Sequence, residues 1–115
     1  TLSACTAGGV TYALGHADVG DPTRVTAALA ELGDASARNL GAAAAPGTAA
    51  DVKGMTPNLR AQRLSVRGNL PDGTAVQEQL VLFAKGTRVF QATVLGAATG
   101  EEATSTFFDA LRLPP

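Results

Sequence analysis

The sequence predicts an α+β domain: an α/β/α sandwich built around a central antiparallel sheet. Three observations lead there. Residues 59–96 hold three strand-like runs joined by two turn signals, which reads as an antiparallel meander. The middle run carries apolar side chains at both parities, and a strand apolar on both faces is covered on both faces. Two segments with helical periodicity, one before the meander and one after it, can supply those covers.

The 115 residues suit a single domain, 1–115, large enough to bury a core without disulfides or metal. Hydrophobic residues make up 45% and aromatics only 4%, so the core must be mainly Leu, Val and Ala. Nine Lys and Arg against ten Asp and Glu give a net charge of −1. No basic stripe dominates, which argues against a nucleic-acid partner. No apolar run reaches the roughly 18 residues of a spanning helix. A single cysteine forms no internal disulfide.

Residues 9–19 read as the first strand. Val10, Tyr12, Leu14, His16 and Asp18 fall on one face, and Thr11, Ala13, Gly15 and Ala17 on the other. The second face is nearly all small, so a helix can lie close against it. That helix is expected over 22–40. Asp21 caps its orphan amides, and Pro22 suits the first helical position because its missing N–H needs no partner there. Val25, Leu29, Leu32 and Leu40 form the apolar stripe, a bend is expected near Gly33, and Gly41 supplies a left-handed C-terminal cap.

The following stretch, GAAAAPGTAADVKGMTP, is read as a surface loop with a turn at Pro46-Gly47 and a short extended piece over 51–55. Runs 59–70 and 74–84 flank Pro71-Asp72-Gly73. Proline presets the first turn angle, aspartate bonds locally, and glycine accepts a positive φ, so this is a hairpin. Lys85-Gly86 turns the chain into the third strand, 88–96. In the middle strand Leu80, Leu82 and Ala84 face one way and Val81 and Phe83 the other. A last helix follows. Thr99 and Glu102 have capping-box spacing, and Ala103, Phe107, Ala110 and Leu111 make its buried stripe with Phe108 at the edge. Pro114 and Pro115 stop it.

Few residues suggest chemistry. His16, Asp18 and Asp21 are near one another in sequence, but a metal needs further ligands, and Asp21 is better used as a cap. Pairing of the Cys5 thiol with the His16 imidazole lacks a third group to orient the ring. Gly8-Gly9 precede a strand, the reverse of a dinucleotide-binding turn. No catalytic, cofactor-binding or metal-binding residue is therefore assigned, and no cofactor is expected. Arg63 and Arg67 share a parity with Ser65 between them, and Gln77 and Gln79 can face them across the hairpin. That polar, partly basic surface is the candidate for binding a partner.

The segments LRAQRLSVRGNLPDGTAVQEQLVLFAKGTRVFQATVLG and EEATSTFFDALRL resemble the Mog1/PsbP-like fold. The features that carry this are the hairpin, the strand with its R-V-F-Q-A-x-V run, and the acid-capped helix ending F-F-x-x-L-R-L. GVTYALGHADV and DPTRV match the same pattern in order. The resemblance implies a sandwich of this kind and a non-enzymatic role in recognition or assembly within the bacterial envelope or periplasm. The implied partner is another protein. No functional residue carries over, because no functional motif matches. Such domains usually begin with a further strand or hairpin, so the chain reads as short ahead of Gly9. The alternative reading is a small-ligand binder with its pocket between the first helix and the sheet.

Leu2-Ser3-Ala4-Cys5 has the form of a lipobox, which would make Cys5 a lipidated anchor and the membrane a partner through it alone. Residues 1–4 would then have been cleaved off. Their presence favours Cys5 as an internal residue near the start of a strand, where a lone cysteine acts as a small hydrophobe.

Overall fold

A computed structural model describes residues 2–42 and 47–113. Its centre is a six-stranded sheet, antiparallel throughout, in the order β1-β2-β6-β5-β4-β3. In chain order the elements are β1 (Leu2–Ala7), β2 (Val10–Asp18), a single 3-10 turn at Pro22–Arg24, α1 (Val25–Asn39) and β3 (Thr48–Ala49). Then come β4 (Gln62–Asn69), β5 (Ala75–Lys85), β6 (Arg88–Gly96) and α2 (Glu101–Asp109).

The strand parities hold. Val76, Leu80, Leu82 and Ala84 of β5 pack with Val25, Leu29 and Ala37 of α1 and with Leu40 just past its end. Val81 and Phe83 of the same strand pack with Ala92 and Val94 of β6 and Phe108 of α2. Each face of the sheet thus meets one helix, the architecture expected from a strand apolar on both sides. The Pro71-Asp72-Gly73 turn forms as its chemistry requires. Gly73 takes φ +89 and the Asp72 carboxylate accepts from the Thr74 amide at 2.9 Å.

Several local expectations fail, each for a physical reason. Leu2–Ala7 form β1, so Cys5 lies within a strand, and β1 pairs residue for residue with β2 through the Gly8-Gly9 turn. The first helix continues unbroken through Gly33. Gly33 is buried against the sheet, where an added Cβ would stand 3.0 Å from a Leu64 methyl and 3.3 Å from a Leu82 methyl. Asp21 caps the 3-10 turn rather than α1 itself, accepting from the Thr23 amide at 2.9 Å.

Thr99 and Glu102 form no capping box. Gly100 occupies the N-cap, and Thr99 is buried, its carbonyl accepting from the Thr104 hydroxyl at 2.9 Å. That bond rotates the helix, so Thr104 and Phe108 face the core while Ala103 and Ala110 face solvent. The extended piece expected over 51–55 is only an isolated bridge, Lys53 to Arg112, and the short strand is β3 instead. Pro46 of the expected turn, and Pro114 and Pro115, lie outside the described residues.

Candidate functional site

The two helices cover the sheet unequally. Helix α1 packs on β4, β5 and β6 and leaves the small side chains of β2 beside it. Because Gly15 and Ala17 fill so little space, a groove of about 330 Å³ opens between Leu32 of α1 and strands β2 and β6. Its floor and far wall are Val89, Gln91 and Thr93, and Leu2 reaches its rim. The small face of the first strand was expected to admit a close helix. The helix stands off it, and the space between them is the site.

The polar groups of the groove lead inward. The Gln91 side-chain amide donates to the Ser36 hydroxyl and to the Thr93 hydroxyl, each at 3.2 Å. Ser36, buried on the underside of α1, also lies beside the Glu78 carboxyl. Glu78 is only 9% exposed, and its Oε1 is buried with no hydrogen-bond partner. Burial pushes this carboxyl up to about 7, with the Ser36 hydroxyl pulling the other way. Strand parity was a sufficient signal for Glu78, which alternates with Val76 and Leu80. Gln91 and Thr93 alternate in the same way with Val89 and Leu95.

Arg63, Arg67, Gln77 and Gln79 fall on the opposite face. Register pairs Arg67 with Gln77 and Ser65 with Gln79, and the Gln79 amide donates to the Ser65 hydroxyl at 3.1 Å. Arg63, Gln77 and Gln79 line a shallow depression of about 420 Å³ that ends at Gly100 and Glu101 of α2. Arg67 does not line it. The Arg63 guanidinium sits 5.0 Å over the Phe108 ring, an attraction between cation and ring face that orients it. Arg60 lies in the turn ahead of β4 and is exposed.

The remaining candidates do not converge. His16 rests against Phe90, ring centroids 5.7 Å apart. The Asp18 carboxylate accepts from the Thr87 hydroxyl and the Gly20 amide, both at 2.8 Å, and these bonds hold it below its ordinary range with help from the Arg88 charge. Among the described residues no three of His, Cys, Asp and Glu gather into a metal-binding group. Cys5 is exposed in the middle of β1, opposite Tyr12. Tyr12 and His16 are four residue steps apart along β2, about 13 Å, so thiol and imidazole do not meet. Among the described residues no helix is long and apolar enough to cross a membrane.

Comparison with protein-family models, curated proteins and solved structures finds no match to this chain.

Proposed function

We propose that this protein is a non-enzymatic binding module whose ligand is a small, mainly apolar molecule seated in the groove beneath α1. The observation that carries this is the groove itself: aliphatic walls with two convergent polar side chains, the usual make-up of a small-molecule site. Gln91 and Thr93 are suited to orient a ligand, being neutral at every ordinary pH. The groove's volume fits a body the size of a bicyclic aromatic. Indole and acetophenone are suitable probes, titrated into isotope-labelled protein while backbone amides are followed by NMR. We expect saturable shifts at Gly15, Ala17, Leu32 and Gln91 with a Kd on the order of 1 mM, lost in Ala17→Leu, which fills the groove. Shifts absent from these residues would overturn the reading.

A second reading has its own support. Three of the four residues Arg63, Arg67, Gln77 and Gln79 share one depression, which favours a protein-binding or assembly subunit using that face. The resemblance to the Mog1/PsbP-like fold favours the same role and a place in the bacterial envelope. A six-stranded antiparallel sheet with a helix on each face is compatible with that fold.

A further inference from the structure

Glu78 is the costly feature of this molecule. It shares its face of β5 with Val76, Leu80, Leu82 and Ala84, and Val66 of β4 and Leu95 of β6 lie directly across from it. No charged group among the described residues faces it. Helix α1 turns Glu31, Asp34 and Arg38 to solvent and lays Ser36 over the carboxyl. On this face β4 offers Leu64 and Val66, and β6 offers Thr93 and Leu95. An apolar side chain would pack there without a desolvation cost. What a carboxyl adds is reversibility. Protonated, it donates a hydrogen bond; ionised, it only accepts.

We infer that Glu78, Ser36 and Gln91 form a hydrogen-bond relay whose direction reverses as Glu78 gains or loses a proton, so that the groove offers a ligand an acceptor in one state and a donor in the other. The inference rests on reading the groove as the binding site. With Glu78 ionised, the Ser36 O–H donates to the carboxylate. Ser36 Oγ then accepts from Gln91, as found at 3.2 Å, and the second amide hydrogen goes to Thr93, also at 3.2 Å. Both amide hydrogens are thus engaged, and Gln91 Oε1 is the group left for a ligand.

With Glu78 protonated, its O–H donates to Ser36 Oγ and the Ser36 O–H turns to Gln91. The amide rotates half a turn about its last bond. Its carbonyl accepts from Ser36 and Thr93, and its NH₂ faces the groove. The only covalent change is one proton exchanged between Glu78 and solvent. The ionised state therefore takes ligands with an O–H or N–H head, and the protonated state takes carbonyl or ether heads, each on an apolar body between Leu32 and Val89. Burial sets the change near neutral pH, at about 7.

The test follows the Glu78 carboxyl carbon and the Gln91 side-chain amide by NMR from about pH 5 to about pH 9. The Gln91 amide should move on the Glu78 midpoint. Ser36→Ala should leave Glu78 titrating and Gln91 silent, and Glu78→Gln should silence Gln91 as well. Both variants are close in size to the native residue, and backbone amides report that each is folded. Indole, a donor, and acetophenone, an acceptor, should exchange preference. The affinity ratio of indole to acetophenone should rise about tenfold as Glu78 ionises, the effect of one good hydrogen bond. A Gln91 amide flat through the Glu78 midpoint overturns the relay, as does one that still titrates in Ser36→Ala, or a flat affinity ratio. If neither probe binds at any pH, the groove reading falls, and the Gln91 titration alone decides the relay.

Discussion

The two faces of the sheet are built on different principles. Beneath α2 the core is aromatic: Phe83 stacks on Phe90 with centroids 5.1 Å apart, and Tyr12 meets Phe107 edge-on at 5.3 Å. The five Phe and Tyr residues come from four elements, β2, β5, β6 and α2, and form two ring groups, Phe83 with Phe90 and Tyr12 with Phe107 and Phe108. Beneath α1 the core is aliphatic, carries a polar track through Ser36 and Gln91, and stops short of β2 to leave the groove. A domain with so few aromatic residues has spent them all on one side. The face that lacks them holds the buried Glu78 carboxyl and the groove beside α1.

The sharpest way to break this contrast is to attack the aromatic side. Phe83 is 2% exposed and stacks on Phe90 within the core beneath α2. Phe83→Ala should cost about 3–5 kcal/mol, read as a fall in the urea midpoint, with the shifts of Ser36 and Gln91 across the sheet little changed. Loss of the whole fold in native buffer would place the effect above that range.

Next in size is the pH response of the aliphatic face. A carboxyl raised from 4.5 to about 7 stays protonated in the folded state while the unfolded chain ionises. Its contribution is therefore fully present below about pH 4.5, and stability falls as pH rises toward 7, by about 3 kcal/mol in all. Asp18, Asp21 and Asp72 are lowered by hydrogen bonds to Thr87, Thr23 and Thr74 respectively. Their stabilisation is present above their ordinary value of 3.8 and lost only in stronger acid, so the two windows do not overlap. Urea titrations at several pH values should show a decline between pH 4.5 and 7 in the native protein and none in Glu78→Gln.

The smallest effects separate two glycines on the α1 face. A Cβ at Gly68 would stand only 2.1 Å from the Leu40 carbonyl oxygen, a rigid backbone atom, so Gly68→Ala should cost about 1–3 kcal/mol. At Gly33 the neighbours are leucine methyls that can turn aside, and alanine adds about 1 kcal/mol of helix propensity. Gly33→Ala should therefore change stability by less than about 1 kcal/mol in either direction. Equal losses at the two sites would show that α1 sits more rigidly on the sheet than these contacts imply.

The same contrast explains what was legible in the sequence. Period-two alternation located β2, β4, β5 and β6 and their faces, because side-chain direction in a strand follows parity alone. The Pro-Asp-Gly turn was legible because each residue has one conformational role. The rotation of α2 was not, because Thr99 and Glu102 fit a capping pattern whose competitor, the buried Thr104–Thr99 bond, exists only once the sheet is there to bury it. The groove was half legible. Small residues on β2 announce a close approach, but whether a helix closes it depends on where Gly33 and Gly68 seat α1. Glu78 went unread although its parity was plain, since a charged residue among leucines is ordinarily taken for surface.

The sheet also has unequal ends. At β3 the ladder is two residues long and offers an incoming strand almost nothing to pair with. At β1 six exposed residues without a charge, a proline or a bulge present a full row of outward backbone donors and acceptors. Charged or interrupted edges repel added strands, and this one has neither safeguard. Among the described residues β1 is the longer of the two outer strands, and it is the strand that holds Leu2 at the mouth of the groove.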